Sequence, residues 1–323
     1  MVHKLDMKDK KLLYELDLNS RQSYNQLAKK IRISKNAINY RINNLIKEGF
    51  IKNFQTILDS GKLGFTVYRM YIKLQNTTPE KESEIIEFLK QKKIVTWLVS
   101  VEGDFDIALA ITTKSVREMN ALWRELLANY VNYLDKRIIS ILTNISYFSR
   151  AYLLDIKENT HVLTFVTEPE ESDIDKTDMN ILRLLVPNAR MSAVEIASKL
   201  RLTSRRVIYR IREMERKKII IGYKTLFDMN KLGYLYYKIA FRLNNITKKN
   251  EMQFKWYIRT NPNIIYDDEA TGGEDIEIEV QVRNIAELRK LLASIRERFA
   301  DIIKDYSIME YYKEHKHLMF PMK

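Results

Sequence analysis

Cysteine is absent from this chain of 323 residues, which excludes disulfides and thiolate metal centres. Glycine (8 residues) and proline (5) are scarce, so regular structure should dominate over loops. No apolar run reaches the roughly 18 residues of a membrane span. The opening stretch MVHKLDMKDKK lacks the apolar centre of a signal peptide. There is no glycine-rich phosphate loop, no nucleophile elbow and no metal-binding helix motif. The 4 histidines, His3, His161, His315 and His317, all lie outside the strand-turn-strand segments described below. His315 and His317 are two apart and could share one face of a strand, but they read as polar residues of a basic tail. These absences lead us to expect a soluble, cytoplasmic protein with no catalytic residues, no metal and no cofactor, and therefore no enzyme.

What the chain does have is an internal repeat. SKNAINYRINNLIKEGFI starts at Ser34 and TSRRVIYRIREMERKKII at Thr203, an offset of 169 residues. The same offset aligns Asp6 and Asp9 with Asp175 and Asp178. It aligns Asn19, Arg21 and Ser23 with Asn188, Arg190 and Ser192, and Gly103 and Asp106 with Gly272 and Asp275. Two copies of one unit are expected, joined by a connector over 151–172 whose apolar part, 162–166, could pack as a short strand.

Each unit reads in two parts. Leu12, Leu13 and Leu16 have helical spacing, Ser23 starts a second short helix and Ser34 caps a third. On that helix Ile38, Ile42 and Leu45 form the buried stripe; Val207, Ile211 and Met214 repeat it. Three short helices with a capped third predict a helix-turn-helix. The period then changes. Tyr68, Met70, Ile72 and Leu74 alternate with Arg69, Tyr71 and Lys73, a strand pattern. The order onward is βαββαβ, the ferredoxin-like arrangement. The expected class is α+β, a tandem duplication with helix-turn-helix domains at 1–60 and 173–229 and βαββαβ domains at 61–150 and 230–323.

The charge is unevenly placed. Residues 1–60 hold 12 Lys and Arg against 6 Asp and Glu, and residues 173–229 hold 13 against 7. The two segments thus carry +12 of the net +13. Charge kept only for solubility would be spread out, so double-stranded DNA is the expected partner. With the apolar stripe inward, the third helix presents Lys35, Asn36, Asn39, Tyr40 and Asn43 beside its cap Ser34. Its copy presents Ser204, Arg205, Arg206, Ile208, Tyr209 and Arg212 beside Thr203. Asparagine suits adenine and arginine suits guanine in the major groove. Arg41 and Arg210 border the buried stripe, so a phosphate contact is expected of them, with an intramolecular ion pair as the alternative.

LDMKDKKLLYELDLNSRQSYNQLAKKIRISKNAINYRINNLIKEGFIKNF and VEGDFDIALAI resemble the Lrp/AsnC (feast/famine) family of transcription regulators. The resemblance covers both units. It implies DNA binding, homo-oligomers built through the βαββαβ domains, and an amino acid or related metabolite as effector at Gly103, Asp104, Phe105 and Asp106. The family usually has one unit per chain. The second copy of its effector loop has Glu274 where the first has Phe105, so the first unit is expected to do most of any effector binding. On the sheet faces, Glu277 and Glu279 could meet Arg69 and Lys73, which favours pairing of the two units. Two other functions are weighed: a tetrapyrrole-modifying decarboxylase, since some relatives of the family are such enzymes, and a sensor or scaffold without DNA binding.

The clustered charge makes a measurable prediction. Binding to duplex DNA should weaken steeply with salt, with a slope of about −0.9 per phosphate neutralised. A slope near zero in a log–log salt titration would remove the electrostatic argument.

Overall fold

The first helix begins where the sequence supplies its cap. Asp6 accepts from the Asp9 backbone N–H at 2.7 Å, and Asp9 accepts from that of Asp6 at 3.1 Å. This capping box satisfies two orphan donors of α1 (Met7–Leu18). Ser23 caps α2 (Tyr24–Ile31) and Ser34 caps α3 (Lys35–Lys47). Leu12, Leu16, Leu27, Ile38, Ile42 and Leu45 are buried together. Strand β1 (Ile51–Leu58) follows, then β2 (Thr66–Leu74), α4 (Pro79–Gln91), β3 (Val95–Glu102), β4 (Ile107–Thr113), α5 (Val116–Tyr130) and β5 (Leu134–Phe148). A buried 3-10 turn at Ala151–Leu154 and strand β6 (Val162–Val166) build the connector into the fold.

The order then recurs. Helices α6 (Lys176–Leu185), α7 (Ala193–Leu200) and α8 (Ser204–Arg216) lead to β7 (Ile220–Phe227) and a short α9 (Met229–Leu232). Next come β8 (Leu235–Leu243), α10 (Lys248–Thr260), β9 (Ile264–Thr271), β10 (Ile276–Val282), α11 (Ile285–Phe299) and β11 (Ile303–His317). This computed structural model describes residues 5–166, 168–170, 172–318 and 320–321; His3 lies outside them. Among the described residues no helix is long and apolar enough to cross a membrane.

The two helical parts share one core and exchange equivalent bonds. β1 and β7 pair antiparallel. Ser20 N–H donates to Tyr223 O at 2.9 Å, and Ala189 N–H donates to Phe54 O at 2.9 Å. Thr56 Oγ1 donates to Leu185 O and Thr225 Oγ1 to Leu16 O, both at 2.8 Å. Arg21 reaches the carbonyls of Ala189 and Met191, and Arg190 reaches those of Ser20 and Gln22. Each of these bonds has its counterpart at the repeat offset in the other direction. The units are therefore related by a pseudo-two-fold axis within one chain.

The sheets go further than two packed faces. Nine strands run in the order β2-β4-β3-β11-β8-β10-β9-β5-β6, and β2 also pairs with β5. That extra pairing closes eight strands into a barrel, with β6 left outside it. The joins are edge to edge: β3 with β11, and β5 with β9. Each unit's exposed edge is thus capped by the other, which removes a site for unwanted strand addition. Helices α4 and α5 cover one half of the barrel and α10 and α11 the other.

Asp267, on β9, is buried, and its Oδ1 has no hydrogen-bond partner. Burial, reinforced by Asp268 and Glu269, pushes its carboxyl up to about 7. The folded chain then holds this proton more tightly than the unfolded one, so stability falls as pH rises between about 4 and 7. Asp267→Asn should gain stability over the parent above that window, by at most about 4 kcal/mol at 1.36 kcal/mol per unit. Below the window it should gain little. Urea unfolding at about pH 5 and about pH 8 checks this, and an equal gain at both would contradict it.

Candidate functional site

The recognition helices α3 and α8 are held from behind and open in front. Lys35, Asn36, Asn39, Tyr40 and Asn43 are exposed, as are Arg205, Arg206, Ile208, Tyr209 and Arg212, while Ser204 is half-buried. Tyr40 and Tyr209 are large rings that stand 67% and 64% exposed. The hydroxyls of Ser34 and Thr203 are engaged as caps, accepting from Ala37 and Arg206 N–H.

Arg41 and Arg210 behave differently from their neighbours. Arg41 lies 2.9 Å from Asp6 and 2.6 Å from Asp9. Arg210 lies 2.8 Å from Asp175 and 2.9 Å from Asp178. The backbone N–H of Asp178 and the Arg210 guanidinium hold the Asp175 carboxyl below its usual range. The cap of the first helix thus clamps the recognition helix in both units. The phosphate contact expected of these arginines must compete with that clamp.

The effector loop is a point of contact between units. Gly103 has φ +138°, and a Cβ there would sit 2.7 Å from Ile308 O of β11. Gly272, its copy, has φ +84° and would meet Ile139 O of β5 at 3.2 Å. Only glycine permits both the backbone geometry and the close approach. Asp106 is used structurally, accepting from Lys73 Nζ at 2.8 Å and Leu74 N–H at 2.6 Å. Asp104 and buried Phe105 instead line a cavity of about 210 Å³ with Tyr71 and Lys136. Gly273, Glu274 and Arg242 of the second unit line the same cavity. Both units line one composite cavity, where the sequence places any effector binding mainly on the loop of the first unit.

Inside the barrel lies an ion cluster that spans both units. Arg69 Nη2 donates to Asp268 Oδ2 at 2.9 Å, and Lys238 Nζ donates to the same oxygen at 2.9 Å. Lys238 is also 2.6 Å from Glu277, to which Tyr71 donates at 2.8 Å. Arg69 Nη1 is 3.7 Å from Glu279. Lys73, expected to join them, pairs with Asp106 of its own unit instead. Burial and Arg69 act to lower the Lys238 pKa, but Asp268 and Glu277 outweigh them and raise it. Burial would raise Asp268, but Lys238 and Arg69 hold it down. Burial holds the Glu279 carboxyl above its usual range.

Histidine placement corrects the sequence argument against an enzyme. The barrel closure carries β11 alongside β3, so His317 lies opposite Trp97 and lines a cavity with Arg69, Tyr236 and Tyr266. His315 Nε2 is 2.8 Å from Ser100 Oγ, and His317 Nδ1 is 2.8 Å from Glu314. The sheet interior therefore does hold an imidazole beside cationic and phenolic groups. Among the described residues no group of three His, Asp or Glu is arranged to hold a metal ion.

Comparison with known proteins bears on both parts. Residues 5–52 match the winged helix-turn-helix DNA-binding family and residues 174–215 the AsnC-type helix-turn-helix domain. A proline dehydrogenase transcriptional activator of Rhodobacter capsulatus is 35% identical over 120 residues, 37% of this chain and 78% of that protein. An uncharacterized HTH-type transcriptional regulator of Pyrococcus horikoshii is 27% identical over 141 residues, 44% of this chain and 87% of its own length. Over the whole chain the fold is like that of the siroheme decarboxylase NirDL, solved with an iron-uroporphyrin III analogue. That likeness has a TM-score of 0.64 at 12% identity and covers 97% of this chain and 94% of the other. The exclusion of an enzyme from sequence does not stand against a whole-chain likeness to one.

The clamp predicts a division of labour among the arginines. Arg210→Ala should lower stability by about 1 kcal/mol or less, the range of exposed pairs, and leave the salt slope of DNA binding unchanged. Arg205→Ala should leave stability unchanged and lower that slope by about one. The reverse assignment in paired melting and salt-titration measurements would return Arg210 to the phosphates. With two DNA-binding helix-turn-helix modules, and a regulator of which 78% is matched at 35% identity, the chain belongs to the Lrp/AsnC family of transcription regulators.

Proposed function

We propose that this protein is a sequence-specific, DNA-binding transcription regulator of the cytoplasm and nucleoid, with both DNA readers of a regulator dimer in one chain. The observation that carries the reading is the pseudo-two-fold exchange of bonds between the helical parts. It leaves the outward faces of α3 and α8 exposed on a single scaffold. Fusing two readers raises the effective concentration of the second once the first is bound. The segments 1–60 and 173–229 serve as readers, and 61–150 and 230–323 as the sheet domains that join them.

A small metabolite, an amino acid or a relative of one, is the proposed effector of the composite cavity at Asp104, Phe105, Gly273 and Glu274. That cavity lies between the units, so a ligand in it would bias how they sit together. Association of whole chains into larger assemblies through the sheet domains is part of the same reading.

The whole-chain fold likeness favours a second reading, in which the barrel works on a tetrapyrrole. His317, Arg69 and the interior tyrosines would supply proton donors and a cationic anchor. Titration with iron-uroporphyrin III, read by absorbance and by mass spectrometry for loss of carbon dioxide, tests it. A product would establish the second reading, and an unchanged spectrum would remove it.

The regulator reading predicts an asymmetric operator. Asn36, Asn39 and Asn43 face outward in one reader, and Arg205, Ile208 and Arg212 in the other. Asparagine and arginine favour different bases, and a wrong base costs about 1–3 kcal/mol. Selection from random DNA should return two unlike half-sites. Replacing Arg205, Ile208 and Arg212 with Asn should move one half-site towards the other. A strictly palindromic motif from the parent chain would contradict the proposal.

A further inference from the structure

The helices on the outside of the barrel have diverged between the units. α10 and α11 carry 8 Lys and Arg against 3 Asp and Glu, whereas α4 and α5 carry 4 against 6. On α10, Met252 and Trp256 are one turn apart and stand 63% and 61% exposed. They line an open groove of about 900 Å³ between α10 and α11. Tyr257 and Phe299, both buried, form its floor, and the exposed cations Lys248, Lys249 and Arg298 its edge. Large apolar side chains exposed side by side and flanked by cations mark an interaction surface.

The first unit has the opposite chemistry at these positions. At the repeat offset Lys249, Gln253 and Trp256 are matched by Glu80, Glu84 and Glu87, all exposed on α4, and Met252 is matched by Ser83. The apolar part of this face is Phe88, half-buried with its ring 5.3 Å from that of Tyr130, and Val131, 56% exposed. Glu84 and Glu87 pair with Lys81 and Lys90 of their own helix, but exposed pairs of this kind are worth little and exchange readily. The acidic and basic faces cover different halves of the barrel, so one chain cannot bring its own two together.

We propose that the α10/α11 face docks on the α4/α5 face of a second copy of this chain, head to tail. The proposal rests on the reading that whole chains associate through their sheet domains, and it names the surfaces. Met252 and Trp256 lie against Phe88 and Val131, and the lysines meet Glu80, Glu84 and Glu87. The contact joins unlike faces, so it does not close at two chains. Each pair keeps a basic face at one end and an acidic face at the other, and growth continues into a ring or a filament. A chain of two equal units has two like outer faces and lacks this complementarity. A phosphate backbone offers nothing to Met252 and Trp256, and a lipid surface gives no role to the acids of α4.

Sedimentation velocity of the full chain over a concentration series tests the proposal. The mass of the parent should rise past two chains, and raised ionic strength should reverse the rise. Trp256→Ala alone should weaken association about tenfold or more. Lys249→Ala with Trp256→Ala blanks the basic face, and Glu80→Ala, Glu84→Ala and Glu87→Ala together blank the acidic one. Either variant alone should stay a single chain. Mixed, they should form a pair that grows no further, because each keeps one working face. All these positions are exposed, and pairing in the mixture shows that both variants are folded. Growth of either variant equal to that of the parent, or a mixture that fails to pair, would overturn these faces and leave association of chains standing. A parent that stays single at every concentration would overturn both. Unchanged assembly, with binding to duplex DNA or to phosphatidylserine vesicles lost in the Lys249→Ala, Trp256→Ala variant, would assign the basic face to that occupant and overturn the proposal.

Discussion

Two cations and three carboxylates inside a closed barrel decide how this chain is put together. Arg69 comes from the first unit, and Lys238, Asp268, Glu277 and Glu279 from the second. At the positions equivalent to the three acids the first unit has Val99, Ala108 and Ala110. Two first units closing on each other would bury two guanidiniums with no acid from these positions. Two second units would bury six carboxylates around two lysines. An unpaired buried charge costs several kcal/mol, so only the mixed pairing is acceptable. Such a cluster adds little to stability compared with an apolar core of the same volume. Its role is the choice of partner. Duplication followed by this divergence turns what would be a homodimer into one chain.

The rest of the architecture follows from that choice. Once the mixed barrel closes, β3 meets β11 and β5 meets β9, and the two helical parts are brought onto a shared axis. There Arg21 and Arg190 reach across to each other's turn carbonyls. The recognition helices are clamped from behind by Asp6, Asp9, Asp175 and Asp178, which leaves their forward faces to contact a partner. A fold of this kind serves regulators and, in NirDL, a decarboxylase, so the fold alone does not choose the chemistry. The residues on α3 and α8 and inside the barrel do.

Much of this was legible in the sequence because it is local. The serine and threonine caps and the period-two strands each depend on neighbours a few residues away, and the offset of 169 needs only the two copies to be laid side by side. The barrel closure was not legible, because pairing of β3 with β11 joins residues more than 200 positions apart and either edge could have met another partner. His317 was misjudged for the same reason: nothing near it in sequence places it beside Arg69 and Trp97. Arg41 was ambiguous because its two carboxylates sit two helices earlier in the chain. The run IIYDDEAT, with acids inside an otherwise buried strand, and the matched Arg21 and Arg190 were visible signals whose meaning needed the other unit.

The central claim is that the two units pair within one chain, and the lack of cysteine makes it directly measurable. Ile141 of β5 and Thr271 of β9 face each other across the antiparallel join between units. Opposed residues in such a ladder lie about 4.5–5.5 Å apart, within disulfide range. Cysteines placed at both positions, oxidised and run on a denaturing gel without reductant, report the partner. The account predicts a crosslinked species of single-chain mass at every protein concentration. A crosslinked species of twice that mass would show that the units pair between chains and would contradict it.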